Sequence, residues 1–308
     1  MTRTLPFSSA VVVGGGGAVG GLFVRALLAE GATSVALVDL RTSGCPPRVA
    51  AIEDDVRSPS GETLERVGSS DIVILATPEE VAVGAVGALL PRMRRGSLLV
   101  DTLSVKSGIA RALNAGPAAA AAPAGPELLG VNPMFAPGLG FAGRSVIAVT
   151  YAGGPLAEAF LDLIARQGAE VVSLSVEEHD RACAALQVAT HAAVLTFGMA
   201  LRASGYDVSR AERIMPPPHR TMLALLGRIL DGEPEVYRDV QAANPYAAEM
   251  RARLRDAQDR LDAIVESGRA EPFSELVDEL RAVLSGAGVD YAKLCARLFE
   301  IGSRPPTG

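Results

Sequence analysis

Three glycines near the amino terminus have the spacing of a phosphate-binding loop. They form a G-x-G-x-x-G pattern that follows an apolar run, Ser9 to Val13, and precedes a helical pattern, Val19 to Glu30. Such glycines allow a tight turn, a close approach of the backbone to a pyrophosphate and close packing of helix on strand. The pattern predicts that a dinucleotide binds at the amino terminus of this helix. The predicted loop residues are Gly15, Gly17, Ala18, Val19 and Gly20.

Two charged residues further along bear on which dinucleotide binds. Asp39 ends the next apolar run, where a carboxylate accepts hydrogen bonds from the adenosine ribose and would repel a 2′-phosphate. Asp39 therefore favours NAD as the cofactor. Arg41 could instead pair with a 2′-phosphate, so NADP stays open as the alternative. Thr77, which follows a later apolar run, is expected at the same cofactor.

Two further segments place polar groups where a ligand would lie. Ser104 and Lys106 follow an apolar run, and ligands bind at the carboxyl ends of strands in open α/β sheets. Lys106 is one of two lysines in the chain, the other being Lys293. Asn132 lies in a proline- and glycine-rich segment, Gly130 to Gly138, that predicts a rigid loop. We expect these side chains near the reacting end of the cofactor.

The second half of the chain also contains polar residues that are candidates for binding a ligand. Gln187 and His191 are spaced i, i+4 on a helical pattern and therefore share a face. Arg220 follows His219 at the start of another helical pattern, after three prolines. A planar guanidinium suits bidentate binding of a carboxylate, so Arg220 is a candidate for holding an anionic substrate.

Strand-like and helical patterns alternate up to Ser175, and only helical patterns follow. This predicts an α/β fold: a doubly wound, Rossmann-type parallel sheet in residues 1–175, then an all-helical substrate and dimerisation domain in residues 176–308. The Ala/Leu-rich helices would leave apolar faces exposed on a lone subunit, so we expect a homodimer. The predicted strands are Ser9 to Val13, Ser34 to Asp39, Asp71 to Ala76, Ser97 to Asp101, Arg144 to Tyr151 and Glu170 to Ser175; the Ala-rich stretch Pro117 to Pro126 is predicted as a loop.

Charge, hydropathy and the spacing of cysteines and histidines argue against several classes of partner. The 308 residues carry a net charge of −6, so the chain lacks the basic character that nucleic acid binding needs. The first residues do not resemble a signal peptide and no run reaches the roughly 20 apolar residues of a membrane span. The three cysteines and three histidines show no metal-ligand spacing. We expect a cytoplasmic protein that binds no nucleic acid, membrane or metal.

Four motifs follow one another along the chain: D-x-x-SVK at Asp101 to Lys106, an HPMF-like segment at Asn132 to Phe135, H-D…Q-x-x-x-H at His179 to His191, and R-x-x-L-x-x-L-G-R at Arg220 to Arg228. In this order they resemble the prephenate dehydrogenase family, whose members oxidatively decarboxylate prephenate or arogenate with a nicotinamide cofactor. The resemblance extends from the glycine loop to about Tyr237.

Another class of Rossmann enzymes is similar in architecture, the 6-phosphogluconate and 3-hydroxyisobutyrate dehydrogenases. Those enzymes use a lysine of the helical domain as acid or base, whereas Lys106 lies in the predicted sheet domain and Lys293 near the carboxyl terminus, which counts against this class.

The resemblance implies roles for the candidate residues. Ser104 would lie beside the nicotinamide and the ring C4 substituent of an anionic cyclohexadiene substrate. Lys106, Gln187 and His191 would bind and orient that substrate, and Arg220 would hold its side-chain carboxylate, unless His219 takes part instead. His179 would orient its helix, and Asp180 would be structural.

Asn132 departs from the family pattern, in which a histidine at this position accepts the proton from the C4 hydroxyl. An amide cannot act as a general base, and loss of proton transfer typically costs about 10²–10⁴-fold in rate. An amine at C4 would avoid this cost, since its lone pair can expel the hydride and form an iminium. We therefore hypothesise that the substrate is 4-amino-4-deoxyprephenate. Two alternatives stay open: an ordinary prephenate or arogenate dehydrogenase with another base, and a regulatory protein that binds NAD without catalysis.

The hypothesis predicts the effect of restoring the histidine. Asn132→His should raise kcat/KM for prephenate, by about tenfold or more if the new imidazole accepts the proton. Steady-state NADH formation from prephenate, compared between wild type and variant, measures this. An unchanged or lower value would show that Asn132 does not occupy the position of the base.

Overall fold

The computed structural model describes residues 7–115 and 125–302. The predicted loop Pro117 to Pro126 lies outside these residues apart from Gly125 and Pro126. The chain divides into two compact units, Met1–Cys183 with Ala242–Pro245, and Ala184–Gln241 with Tyr246–Gly308. We call them the sheet unit and the helical unit.

The sheet unit is built on an eight-stranded sheet with the order β3-β2-β1-β4-β5-β6-β7-β8. All neighbouring strands are parallel except β6 and β7, which are antiparallel. The order β3-β2-β1-β4-β5-β6 is that of a dinucleotide-binding Rossmann sheet, which confirms the predicted fold class. The strands are β1 Ser9–Val13, β2 Ser34–Asp39, β3 Val49–Glu53, β4 Ile72–Leu75, β5 Leu98–Asp101, β6 Glu127–Pro133, β7 Ser145–Ala152 and β8 Glu170–Ser173.

The central strands are apolar throughout because helices cover both faces of the sheet. Successive residues of β1 alternate between two cores: Ala10 and Val12 belong to one, Val11 and Val13 to the other. Successive side chains of a strand point to opposite faces of the sheet, and here both faces are buried. The covering helices are α1 Ala18–Ala29, α2 Gly61–Ser69, α3 Glu79–Leu89, α4 Ser107–Ala115, α5 Pro155–Arg166 and α6 Val176–Cys183.

The predicted rigid loop around Asn132 is wrong in its first part. Glu127–Pro133 is strand β6, and Asn132 pairs with Ile147 of β7. Pro133 is the last residue of the strand, and the next residue, Met134, still donates its backbone N–H to the Ser145 carbonyl of β7 at 3.1 Å, so the proline does not end the pairing of the two strands. Asn132 is therefore held by a ladder of backbone hydrogen bonds in the sheet.

The helical unit contains long helices with few buried residues of their own. A π-helical turn at Ala184–Val188 links α6 to α7 within one continuous helix, Val176–Ala203, whose length and apolar composition also satisfy the criteria for a membrane span. Many large apolar side chains are exposed, among them Met199, Ile214 and Val283. The helices are α7 Ala189–Ala203, α8 Val208–Ala211, α9 Pro217–Leu230, α10 Pro234–Ala243, α11 Ala247–Glu266, α12 Ala270–Leu284 and α13 Tyr291–Gly302.

The two units separate after Cys183, whereas the sequence places the domain boundary at Ser175. The difference is helix α6, whose residues His179, Asp180 and Cys183 are buried in the sheet unit. The sequence places the boundary where strand-like patterns end, but the helix that follows buries His179 and Asp180 in the sheet unit. The domain boundary at Ser175 remains a prediction.

The glycine loop provides a test of helix docking. A Cβ on Gly20 would lie 2.2 Å from the carbonyl oxygen of Gly14, whereas one on Gly21 would meet the flexible end of Arg25 at 3.3 Å and the Gly15 carbonyl oxygen at an ordinary contact distance of 3.8 Å. Gly20→Ala should lower the free energy of unfolding by roughly 1–3 kcal/mol because backbone has to move. Its matched control, Gly21→Ala, should raise it by about 0.5–1 kcal/mol. Urea unfolding measures both, and equal effects would contradict this account.

Candidate active site

The glycine loop leaves room for a pyrophosphate at the amino terminus of α1. Gly14 has a φ of 77°, a conformation that favours glycine, and a Cβ there would lie 2.3 Å from the carbonyl oxygen of Ala76. Helix α1 begins after Gly17 without a side-chain cap, so its first N–H groups remain available to an anion. Thr77, two residues after the end of the neighbouring β4, has a buried Oγ1 with no hydrogen-bond partner among the described residues. These features fit a dinucleotide.

Asp39 lies next to this loop. Its Oδ2 accepts a hydrogen bond from the Gly16 N–H at 3.0 Å, which places the carboxylate at the rim of the glycine loop. Arg41 is exposed nearby in the chain. A carboxylate in this position accepts hydrogen bonds from the hydroxyls of an adenosine ribose and repels a 2′-phosphate, so it favours NAD over NADP.

A buried ion pair lies at the carboxyl end of β5. Lys106 has no exposed surface, and its Nζ donates to Asp101 Oδ1 at 2.5 Å and to the Val131 carbonyl at 3.1 Å. Tyr151 donates from its hydroxyl to the other oxygen of Asp101 at 3.0 Å. Gly130 makes this packing possible, because a Cβ there would lie 2.8 Å from the Tyr151 hydroxyl. Lys106 is therefore held between β5 and β6 by these two hydrogen bonds, and its contact with a substrate stays a prediction.

Asp180 connects helix α6 to the turn that follows β5. It is fully buried, and it accepts hydrogen bonds from the backbone N–H groups of Lys106 and Ser107 at 2.8 and 2.9 Å, and from the Ser107 hydroxyl. These donors belong to the amino terminus of α4, where a carboxylate is favoured by the helix dipole. The turn that carries the half-buried Ser104 is thereby tied to α6.

His179 extends this network to Asn132. Its Nδ1 lies 2.8 Å from Asp180 Oδ1, and its Nε2 lies 3.0 Å from Asn132 Nδ2. Cys183, one turn along α6, brings its Sγ within 3.6 Å of the same Asn132 Nδ2. The network Asp180–His179–Asn132, which we call the amide relay, is buried in the sheet unit at the end of β6.

Burial determines the ionisation of the relay. It lowers the pKa of His179, with hydrogen bonding to Asp180 opposing in part, so the imidazole is neutral near pH 7. Burial would raise the pKa of Asp180, but hydrogen bonds from His179, Ser107 and the Lys106 amide outweigh it and lower the pKa. Burial also raises the pKa of the Cys183 thiol to about 12. A neutral histidine next to a carboxylate carries its proton on Nδ1, which leaves Nε2 as an acceptor.

The helical unit holds the remaining predicted site residues. Gln187 lies in the π-helical turn, a feature often found at functional sites, and His191 follows in α7. His191 packs edge-on against Tyr237, with ring centroids 5.0 Å apart, and its Nδ1 is buried without a hydrogen-bond partner among the described residues. Burial, with a contribution from Arg228, lowers the pKa of His191. Arg220 is exposed at the start of α9.

His219 adjoins Arg220 but points elsewhere. Its ring lies edge-on to Phe197 and Tyr206, with centroids 5.4 and 5.3 Å away, and its Nε2 is buried without a partner in the described chain. Of the two neighbours, Arg220 is thus the accessible cation. This arrangement fits the choice of Arg220 rather than His219 as the residue for a carboxylate.

The sequence predicts that His179 orients its helix and that Asp180 is structural, and the hydrogen bonds of Asp180 fit a structural role. What the sequence missed is the identity of their partners and any role for Tyr151. One signal was available in the sequence: a histidine and an aspartate are neighbours on a helix that begins where the strands end. If such residues are buried, each of them needs a hydrogen-bond partner. Their partners are distant in the chain and cannot be identified from spacing.

The sheet order, the glycine loop and the buried relay at the carboxyl end of the strands define a dinucleotide-dependent dehydrogenase. Comparison with known proteins refines this class. Residues 175–281 match the family model described as "Prephenate dehydrogenase, dimerization domain". The chain is 46% identical to the 4-amino-4-deoxyprephenate dehydrogenase of Streptomyces pristinaespiralis, over 95% of this chain and 97% of that protein. It is 25% identical to a probable arogenate/prephenate dehydrogenase of Methanocaldococcus jannaschii, over 71% of this chain and 49% of that protein.

Solved structures agree at the level of the fold. Prephenate dehydrogenase from A. aeolicus, in complex with hydroxyphenyl propionate and NAD⁺, superposes with a TM-score of 0.68 at 17% identity, over 91% of this chain and 97% of that one. Synechocystis arogenate dehydrogenase gives a TM-score of 0.63 at 18% identity, over 89% and 98%. The chain belongs to the prephenate dehydrogenase family, which confirms the resemblance carried by the four motifs and its assignment as a dehydrogenase.

The lowered pKa of His179 makes stability depend on pH. In the unfolded chain the imidazole titrates near 6.5, whereas the folded pKa is lower, so the unfolded state binds the proton first. The free energy of unfolding should therefore fall as the pH drops through about 6.5, by up to about 1.4 kcal/mol per pH unit from this group. Urea unfolding between about pH 7.5 and 5.5 measures it. His179→Gln should reduce the slope, and an identical slope would contradict this origin.

Proposed function

We propose that the chain catalyses the NAD-dependent oxidative decarboxylation of 4-amino-4-deoxyprephenate to 4-aminophenylpyruvate, releasing CO2 and NADH. The observation that carries this proposal is Asn132, a buried amide at the position of the family's histidine base, with its amino group directed at the acceptors His179 and Cys183. The 46% identical relative of nearly equal length is named for this substrate, which supports the same conclusion.

The electron pairs of this reaction can be followed from substrate to product without a base at the C4 substituent. The amine lone pair forms a C=N bond as the C4 hydride departs, and the resulting iminium draws the electrons of the carboxylate C–C bond as CO2 leaves. The ring becomes aromatic and the nitrogen regains its lone pair as an aniline. The substrate reacts as the neutral amine, after its ammonium form has lost a proton to solvent. From the neutral amine the hydride step removes no further proton from the nitrogen, so an amide suffices at residue 132. A hydroxyl is a weaker electron donor and depends more on a base to share the developing charge.

The cofactor residues of the proposal are those of the glycine loop and its neighbours. The backbone of Gly15 to Gly20 would hold the pyrophosphate at the amino terminus of α1, Asp39 would receive the adenosine ribose, and the orphaned Thr77 hydroxyl would find a partner. When bound, NAD supplies the hydride acceptor. The carboxylate of Asp39 supports NAD rather than NADP.

The substrate residues of the proposal are those to which the family resemblance gives this role. Ser104 would contact the C4 substituent, and Lys106, held between β5 and β6, would help to bind the substrate. Gln187, His191 and Arg220 of the helical unit would bind and orient the anionic substrate, Arg220 through a carboxylate. The exposed apolar side chains of the helical unit, together with the matched dimerization model, support a homodimer formed through that unit.

Steady-state NADH formation from the two cyclohexadienes tests the proposal. We expect kcat/KM for 4-amino-4-deoxyprephenate to exceed that for prephenate by about 10²-fold or more, the scale of a missing general base. Equal or higher turnover of prephenate would identify an ordinary prephenate dehydrogenase. Binding of NAD without NADH formation from either compound would identify a non-catalytic protein.

A further inference from the structure

The side-chain amide of Asn132 has one defined orientation. Its Nδ2 faces two acceptors, His179 Nε2 at 3.0 Å and Cys183 Sγ at 3.6 Å, so both amide protons are directed toward α6. The carbonyl oxygen lies on the opposite branch of the amide, and no described residue donates a hydrogen bond to it. Asn132 therefore presents an acceptor on the side away from α6.

His179 maintains this orientation only while its Nε2 lacks a proton. Asp180 ensures that, because it accepts the proton of Nδ1 at 2.8 Å. With a proton on Nε2, the imidazole would repel the Asn132 amino group and attract its carbonyl, and the amide would turn over. An amide can turn at little intrinsic cost, so its surroundings decide which end faces outward.

Asp180 is itself held in place. Its carboxylate accepts two backbone N–H groups at the start of α4 as well as the Ser107 hydroxyl, and the side chain of Asn244 binds the Asp180 carbonyl at 2.8 Å. The amino terminus of α4 thus holds Asp180, Asp180 determines the proton position of His179, and His179 determines the orientation of the Asn132 amide. All of these groups belong to the sheet unit.

The orientation matters for an amine substrate. A carbonyl oxygen accepts an N–H from the C4 amine, which leaves the nitrogen lone pair free and increases its electron density as the hydride departs. A reversed amide would donate its N–H to that same lone pair and oppose its delocalisation. The two orientations therefore differ more in the transition state than in the ground state.

We propose that His179 and Asp180 are positioning residues that hold the Asn132 carbonyl toward the substrate, and so determine the preference for an N–H donor at the reacting carbon. This inference rests on the proposed function. It adds two residues of α6 that do not contact the substrate but act through Asn132.

A variant of His179 tests the role of the acceptor. His179→Leu removes it, and kcat for 4-amino-4-deoxyprephenate should fall about tenfold or more while KM changes less, since the loss is felt in the transition state. His179→Gln offers an oxygen to the same N–H and should retain more of kcat than His179→Leu. Cys183→Ala, the matched control, removes two longer contacts, from Sγ to Asn132 Nδ2 at 3.6 Å and to His179 Nε2 at 3.5 Å, and should change kcat by less than about threefold. A kcat for His179→Leu equal to that of wild type overturns the inference.

A double-mutant cycle separates action through Asn132 from general damage to the fold. If His179 acts through the amide, His179→Leu should cause no further loss of kcat once Asn132→Ala has removed that amide. An undiminished loss in the Asn132→Ala background would show that His179 acts independently, and would overturn the inference. Thermal unfolding of each variant checks that all are folded under the assay conditions.

The ¹⁵N spectrum of the three histidine rings provides a readout that requires no substrate. The signals lost in His179→Gln identify His179, and at pH 7.5 in wild type they should be those of a neutral ring protonated on Nδ1. A ring protonated on Nε2, or on both nitrogens, overturns the inference even if the amine is the preferred substrate. Conversely, preference of the wild type for prephenate defeats the proposed function, while the spectrum still decides the orientation of the amide.

Discussion

The buried carboxylate of Asp180 is the constraint on which the sheet-unit site depends. A charge without solvent has to be compensated by hydrogen bonds, and Asp180 obtains them from the start of α4, from Ser107 and from His179. These partners lie at the start of α4 and on α6 itself. Satisfying one carboxylate therefore fixes the turn that carries Ser104 and the imidazole that binds Asn132.

A second buried charge makes the neighbouring strands rigid. Lys106 pairs with Asp101 at the end of β5 and also binds a carbonyl of β6, so the two strands that carry Asp101 and Asn132 are locked at their carboxyl ends. The family motif D-x-x-SVK acquires a physical meaning here: its aspartate and lysine form one buried ion pair, and its serine lies on the turn between them. The glycine loop lies at the carboxyl end of β1 in the same sheet.

The exchange of histidine for asparagine changes what residue 132 can do to a substrate. A histidine can take a proton, whereas an amide can only orient a donor or an acceptor. That restriction suits a substrate whose own nitrogen provides the electrons for hydride departure. Under the proposed function the amine makes the base unnecessary, and the proposed orientation of the Asn132 amide leaves the lone pair of the substrate nitrogen free.

The sequence by itself determined the fold class, the glycine loop, the family and the unusual asparagine. These features depend on local patterns: the period of the apolar residues, the spacing of glycines over one turn, and short motifs in a fixed order. It did not determine that Asn132 lies on a strand, because prolines and glycines next to it also suit a loop. Nor did it determine the partners of Lys106, His179 and Asp180. Asn132 and His179 are 47 residues apart in the chain, and Asp180 binds Ser107 across 73. Only the folded sheet and helix α6 bring these groups together, and only burial makes their charges and proton positions depend on one another.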